Sequence, residues 1–240
     1  MKNVLLYPLG TSGSCSYASK VLEHAGCALI DHPAPEVTHL LLDVPSKETT
    51  DLHELLRMLP RTITVIGGNL NMAYLQDYRK LDLLQDPFYL AANASITAEC
   101  ALQAAAPYLH TTFADSPTLI LGWGRIGKCL AKLLKSMGSS VTVAARKPQD
   151  RALLNALGYE AVDFPEVSKI LKRFCILFNT VPKLPFSFNG SCIAVDLASE
   201  PGMTGDSVIT ARGLPGKYAP ESSGRLIAQT ILRYYKEGIL

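Results

Sequence analysis

The six cysteines, at positions 15, 27, 100, 129, 175 and 192, include no Cys-x-x-Cys pair. That spacing speaks against a zinc site and against a disulfide framework. Most of them read as small core residues, in a protein expected in a reducing cytoplasm. Histidine is scarce as well. His24, His32, His39 and His53 show no ligand spacing and none follows His110, so surface or helix-end packing is expected and no metal is assigned. No apolar run approaches the length of a membrane span, and Met1–Pro8 is interrupted too early for a secretory leader. A formal charge of +2 without a long basic run gives no reason to invoke nucleic acid. Hydrophobic residues at 48% against charged residues at 18% exclude a disordered chain. The 240 residues permit one large domain or two small ones.

What is present is a glycine loop in informative surroundings. The apolar run Thr118-Leu-Ile-Leu121 leads into Gly122-x-Gly124-x-x-Gly127, an amphipathic helical pattern follows, and a second apolar run stands at Ser140–Ala145. The glycine pattern alone is a weak signal, but a strand before it and a helix and strand after it make a dinucleotide-binding βαβ unit. A tight turn in an α/β protein without a nucleotide is the plain alternative. In the dinucleotide reading Gly122 allows the turn, Gly124 lets the backbone approach a pyrophosphate, and Gly127 lets helix and strand pack closely, with helical N–H groups facing the anion. The lysines at 128, 132 and 135 are spaced as a solvated helix face.

The next strand bears on the choice of cofactor. About 20 residues past such a loop a carboxylate accepts the ribose hydroxyls of NAD, whereas an arginine there accommodates a 2′-phosphate. This chain has Ala144-Ala145-Arg146-Lys147 and no acid at that point, which predicts NADP(H) in preference to NAD(H). Arg146 supplies a planar fork for the phosphate and Lys147 a second, point charge. The competing explanation is that both simply solvate a loop tip.

Along the chain, strands are expected at Val4–Leu9, Ala28–Ile30, His39–Leu42 and Thr62–Ile66, and helices at Tyr17–Ala25, Thr50–Leu59 and around Met72–Tyr78. An Ala-rich helix at Ile96–Leu109 is expected to link two lobes. After the glycine-loop unit come helix Ala152–Leu157, strand Glu160–Val162, helix Phe164–Arg173, and strands Cys175–Phe178, Cys192–Asp196 and Val208–Thr210. This alternation predicts an α/β fold of two lobes, each an open parallel sheet with helices on both faces. Residues 1–92 form a flavodoxin-like α/β substrate lobe and residues 93–221 a Rossmann dinucleotide-binding domain. Apolar residues at 226, 227, 230, 231 and 234 give helical spacing over Ser222–Glu237, and the helix over 222–240 is expected to pack back on the first lobe.

In an open α/β sheet ligands lie beyond the carboxyl ends of the strands. Three loops there stand out: Asn179-Thr180-Val181-Pro182, Asp196-Leu-Ala-Ser-Glu-Pro-Gly202 and Gly213-Leu-Pro-Gly-Lys-Tyr-Ala-Pro220. Together with Gly-Trp-Gly-Arg-Ile-Gly and Ala-Ala-Arg, in this order and spacing, they resemble the A-type subunit of dipicolinate synthase, within the wider group of D-2-hydroxyacid-dehydrogenase-like Rossmann proteins. The similarity runs from about Ile63 to the C-terminus, includes Asn93–Glu99, and thins before residue 60. The family's N-terminal lobe is generally longer, and this chain looks shortened there.

The resemblance implies an oxidoreductase subunit that forms dipicolinate, the calcium-binding acid of bacterial endospores made in sporulation, from a dihydro- or tetrahydrodipicolinate of the lysine branch. It also implies a partner, the flavoprotein-like B-type subunit of the same enzyme; symmetric pairing into a homo-oligomer is common in two-lobed proteins. By motif, Gly122, Trp123, Gly124, Arg125 and Ile126 would hold the pyrophosphate, and Arg146 and Lys147 the ribose phosphate. Asn179, Thr180, Val181 and Pro182 would flank the ribose and nicotinamide, and Leu197, Ala198 and Ser199 would line the ring.

Related hydroxyacid dehydrogenases use an Arg, a Glu and a His in the cofactor lobe, so the lack of histidine after His110 argues against a 2-hydroxyacid substrate. Lys217 and Tyr218 are the nearest polar residues where that His is expected. Ser95, Thr97 and Glu99 are expected in the first turn of the linking helix, where free N–H groups can receive a substrate carboxylate. Glu99 in that turn serves equally as a general base or as a cap. Ser12, with Thr11 and Ser14, is a candidate anion site or a helix cap. Besides the dipicolinate-forming enzyme, a non-catalytic nucleotide-binding scaffold or sensor and a 2-hydroxyacid dehydrogenase stay open.

Overall fold

Five short parallel strands and the helices between them build the first part of the chain. In the computed structural model, which describes residues 4–240, β1 is Leu5–Pro8, α1 Gly13–His24, β2 Ala28–Leu29, β3 His39–Leu41, α2 Thr50–Met58, β4 Thr64–Gly67 and β5 Arg79–Asp82. Met1–Asn3, the start of the interrupted N-terminal apolar stretch, lie outside the described residues. The strand order is β2-β1-β3-β4-β5, all parallel, the 2-1-3-4-5 order of a flavodoxin-type doubly wound sheet. Consecutive residues of a strand point to opposite faces. Leu41 and Ile66 therefore join a core with Ala18, Leu22, Ile227 and Ile231, while Leu40 and Val65 join one with Leu52, Leu55, Leu56 and Leu75.

The chain divides into two compact units, Met1–Asn93 with Pro215–Leu240, and Ala94–Leu214. Helix α3, Pro87–Ala105, contains the first division. The second unit holds β6 Thr118–Leu121, α4 Arg125–Ser136, β7 Val141–Ala144, α5 Pro148–Ala156, β8 Glu160–Val162, α6 Val167–Ile170, β9 Ile176–Asn179, β10 Phe186–Ser187, β11 Ile193–Asp196, β12 Met203–Thr204 and β13 Val208–Thr210. Its main sheet runs β13-β11-β9-β6-β7-β8, every neighbouring pair parallel. Numbered within the unit this is the 3-2-1-4-5-6 Rossmann order. The central strands β6, β7 and β9 are buried throughout, as continuous apolar runs in a sheet covered on both faces should be. The chain ends in α7, Leu214–Tyr218, and α8, Pro220–Lys236. Ile227, Ala228 and Ile231 of α8 are buried in the core of the first unit.

Several elements differ from the sequence expectation. Helix α3 starts at Pro87, nine residues before Ile96, because Asp86 accepts a hydrogen bond from the Tyr89 amide at 2.6 Å and acts as its cap. Proline then sits at the first helical position, where its missing N–H is harmless. β5 was not expected: Arg-Lys-Leu-Asp is mostly polar, as an edge strand can be. Met72–Tyr78 contains only a 3-10 turn at Ala73–Leu75. Phe164–Arg173 divides into two 3-10 turns on either side of α6. Leu214–Tyr218 is a short helix instead of loop.

Candidate functional site

β6 delivers the chain to Gly122, which takes φ +103°, a left-handed conformation that favours glycine. A Cβ there would also lie 2.6 Å from Thr180 Oγ1 and 2.8 Å from Val181 Cγ2. At Gly127 a Cβ would strike the Gly122 carbonyl oxygen. Gly124 is the opposite case: nothing among the described residues lies within 4 Å of a Cβ built there. Gly124 is also the N-cap of α4, and no side chain among the described residues caps that helix. Its first-turn N–H groups and the positive end of its dipole thus face open space, which is the arrangement that binds an anion. The residues present fit the pyrophosphate of a dinucleotide.

A cleft of about 270 Å³ opens at this point, lined by Gly122, Trp123, Gly124, Ala145, Arg146, Lys147, Asp150, Phe164, Thr180, Val181 and Pro182. The structure therefore brings together three of the predicted glycine-loop residues, both cations after β7, and three residues of the loop after β9. Arg125, Ile126 and Gly127 form the first turn of α4. Arg146 and Lys147 are exposed, and neither side chain has a hydrogen bond or ion pair among the described residues. Trp123 packs against Tyr159, ring centroids 5.8 Å apart, with Lys128 Nζ 5.7 Å from its ring. Its indole Nε1 is buried without a partner among the described residues.

Asn179 sits behind the cleft instead of in it. It is fully buried, its Nδ2 donates to Asp196 Oδ1 at 2.7 Å and to Val181 O at 3.1 Å, and its Oδ1 accepts from Val181 N at 3.0 Å. Expected beside the ribose, Asn179 here shapes the loop that carries Thr180–Pro182. Asp196, also buried, accepts from Ala198 N at 3.3 Å and Gly202 N at 3.0 Å as well, and Arg212 Nη2 stands 3.9 Å away. One carboxylate thus knits the loops after β9 and β11. Leu197 and Ala198 are buried and Ser199 is exposed; none of the three lines the cleft.

The early start of α3 corrects the expectation of free helical N–H groups at Ser95, Thr97 and Glu99. All three lie well inside the helix, where backbone amides are already paired. Ser95 and Glu99, four residues apart, share an exposed face, while Thr97 is buried. Ser12 is an N-cap: its Oγ accepts from Cys15 N at 3.2 Å and donates to Asp43 Oδ1 at 2.5 Å. The amides of Thr11 and Ser12 also donate to Asp43, at 3.0 and 3.1 Å. Asp43 thus takes the Ser12 hydroxyl and the two backbone N–H groups just ahead of α1. Burial, and then the Asp43 charge, push the neighbouring Cys15 thiol up to about 12. Lys217 and Tyr218 are exposed on α7, with no side-chain hydrogen bond among the described residues.

Asp150, Phe164 and Ala145 line the cleft without having been singled out from the sequence. Asp150 falls in the first turn of α5, six residues past β7, and only the path of that turn brings it back to the strand end. Among the described residues no three His, Cys, Asp or Glu side chains group to hold a metal. No described helix is long and apolar enough to cross a membrane.

Residues 90–186 match the family described as D-isomer specific 2-hydroxyacid dehydrogenase, NAD binding domain. Fold and cleft accordingly define this part of the chain as a nicotinamide dinucleotide-binding Rossmann domain of the dehydrogenase class. The more particular likeness is to the A-type subunit of dipicolinate synthase. The chain is 28% identical over 193 residues to that protein from Bacillus subtilis (strain 168), a match covering 72% of this chain and 65% of the relative's length. The crystal structure of the Bacillus halodurans counterpart superposes with a TM-score of 0.81 at 20% identity, covering 96% of this chain and 97% of that one. The Bacillus subtilis structure gives 0.79 at 20% identity, covering 99% and 97%. A transhydrogenase from Sinorhizobium meliloti gives 0.68 at 12% identity, covering 98% and 85%. The chain is similar to the dipicolinate synthase A-type subunit in sequence, and the shared fold covers 96% or more of its length.

Proposed function

We propose that the protein is an NADP(H)-dependent oxidoreductase subunit of the dipicolinate synthase type, forming pyridine-2,6-dicarboxylate from a dihydro- or tetrahydrodipicolinate in sporulation. The observation that carries the cofactor half is the pairing of an open, uncapped α4 N-terminus with two unpaired cations, Arg146 and Lys147, in one cleft. Against these cations stands a single lining carboxylate among the described residues, Asp150, so the cleft favours an additional phosphate. The substrate half rests on the likeness to the dipicolinate synthase relatives.

In this reading α4 and Gly124 hold the pyrophosphate, Arg146 and Lys147 the 2′-phosphate, and Thr180, Val181 and Pro182 the ribose side, with Leu197, Ala198 and Ser199 toward the ring. The bound cofactor supplies the hydride acceptor. A dihydrodipicolinate would give up the equivalent of one hydride, which the cofactor would accept, and one proton on becoming aromatic. The protein's task is then to orient two carboxylates and take the proton, with Ser95 for the first and Glu99, Lys217 or Tyr218 for the second. Ser12, tied to Asp43, and the buried Thr97 do not enter this proposal. The flavoprotein-like B-type partner completes the complex in the cytoplasm, and the chain pairs with itself.

A second reading, a nucleotide-binding scaffold or sensor, draws on the absence of side-chain hydrogen bonds positioning Glu99, Lys217 or Tyr218 among the described residues. Dipicolinate formation, followed by its ultraviolet absorbance with and without the flavoprotein-like partner, separates the two. Product that depends on this chain and on NADP+ supports the enzyme; NADPH binding without product in either mixture supports the scaffold.

A further inference from the structure

The turn between β7 and α5 has a brace of its own. Arg151, in α5, directs its guanidinium back to the strand end, where Nη1 donates to Ala145 O at 2.7 Å and to Arg146 O at 2.8 Å. Nη2 lies 3.2 Å from Asp163 Oδ2. Asp163 also accepts from the Phe164 amide at 2.8 Å, and Phe164 lines the cleft. One side chain thereby fastens the end of β7, the backbone of Arg146 and the loop after β8.

Arg146 and Lys147 have no side-chain partner of their own among the described residues, and residues 145–147 belong to no helix or strand. Their position therefore depends on their backbone. A planar fork with five donors can satisfy two carbonyls and a carboxylate together; an ammonium is a point charge and cannot reproduce that geometry. A turn already held in its binding shape loses less freedom when ligand arrives, and affinity rises accordingly.

We propose that Arg151, with Asp163, is the positioning residue for 2′-phosphate recognition, holding the 145–147 turn so that Arg146 and Lys147 meet the phosphate. The proposal rests on the NADP(H) reading above. Arg151 is not among the cleft-lining residues, so its effect should appear in selectivity and leave dinucleotide binding in general intact.

The test is calorimetric titration of the full chain and of Arg151→Leu, Arg151→Lys and Asp163→Asn with adenosine 2′,5′-bisphosphate, adenosine 5′-monophosphate, NADPH and NADH. Arg151→Leu should lose about tenfold in affinity for the two ligands carrying a 2′-phosphate and keep its affinity for the other two. Arg151→Lys should recover part of the loss, and Asp163→Asn should show a smaller one. Asp163→Asn reads the same brace if Arg151→Leu does not fold. Wild-type protein that binds both classes equally overturns the NADP(H) reading and the brace with it. Wild-type discrimination that survives in all variants overturns the brace alone, as does an equal loss for all four ligands.

Discussion

Gly127 lies so close to the carbonyl oxygen of Gly122 that a Cβ at 127 would collide with it. The clash is with backbone, which a side-chain rotation cannot relieve. Gly127→Ala is expected to cost about 1–3 kcal/mol of stability, the usual range for overpacking, and to weaken NADPH binding at least about tenfold. Gly124→Ala should behave differently, since nothing among the described residues lies within 4 Å of a Cβ there. Its stability should stay within about 0.5 kcal/mol of wild type while dinucleotide affinity falls, because the added methyl would take up room that the proposed pyrophosphate site needs. Urea unfolding and calorimetric titration of both variants check this. Unchanged NADPH affinity in Gly124→Ala would move the site elsewhere.

Arg146 and Asp150 line the same cleft with opposite charge. Removing one charge-assisted hydrogen-bonding partner costs about 1.5–3 kcal/mol, so Arg146→Ala should lower NADPH affinity roughly tenfold to a hundredfold and leave NADH nearly unaffected. Asp150→Asn should act in the other direction and widen the preference for NADPH. Parallel titrations decide it, and a loss shared equally by NADPH and NADH in Arg146→Ala contradicts the assignment.

Asp196 is the joint of two site loops. Truncating it strands one N–H of the Asn179 side-chain amide, whose other partner is Val181 O, and the backbone N–H groups of Ala198 and Gly202. Asp196→Ala should therefore destabilise the protein by about 3 kcal/mol, given roughly 1–3 kcal/mol per stranded group and partial rescue by water. Denaturant midpoints measure the effect; a change below about 0.5 kcal/mol would show that the loops are held by other contacts.

In the first unit, the buried Asp86 takes hydrogen bonds from the Tyr89 amide, Arg233 and Tyr234. Burial, the largest single influence, pushes its carboxyl up, but these donors and the Arg233 charge together hold it below the ordinary carboxylate range. A depressed native pKa contributes stability that is complete above the unfolded value, roughly 3.9, and is lost as pH falls through the native value. Asp86→Asn should thus be less stable than wild type near neutral pH, with the gap closing in acid. A gap independent of pH would show that the carboxylate charge is not what stabilises.

The glycine loop and Arg146 were legible in the sequence because each is a local signal: a strand, a tight turn, a helix start, a strand end. The alternation of elements likewise carried both sheets. The rest depended on longer paths. Asp86-Pro87 is a helix-start signal that the Ala-rich stretch downstream overshadowed, and the misplaced start put Ser95 and Glu99 in a first turn they do not occupy. Asn179 looked like a ligand residue because it follows a strand; its partner Asp196 comes from the adjacent strand, and only the register of β9 and β11 puts them together. Arg151 carries no local signal of a role, and only the turn of α5 brings it back to Ala145. The two-residue strands β10 and β12 are too short to leave a periodic pattern.

The most direct test supplies the purified chain, with the flavoprotein-like partner present and absent, with enzymatically generated dihydrodipicolinate and NADP+, and follows dipicolinate and reduced nicotinamide together by ultraviolet absorbance. The account predicts that both appear only when this chain is present, in equal amounts, and that NAD+ supports a slower reaction. Dipicolinate formed at the same rate without the chain, or no dipicolinate in either mixture, would contradict it.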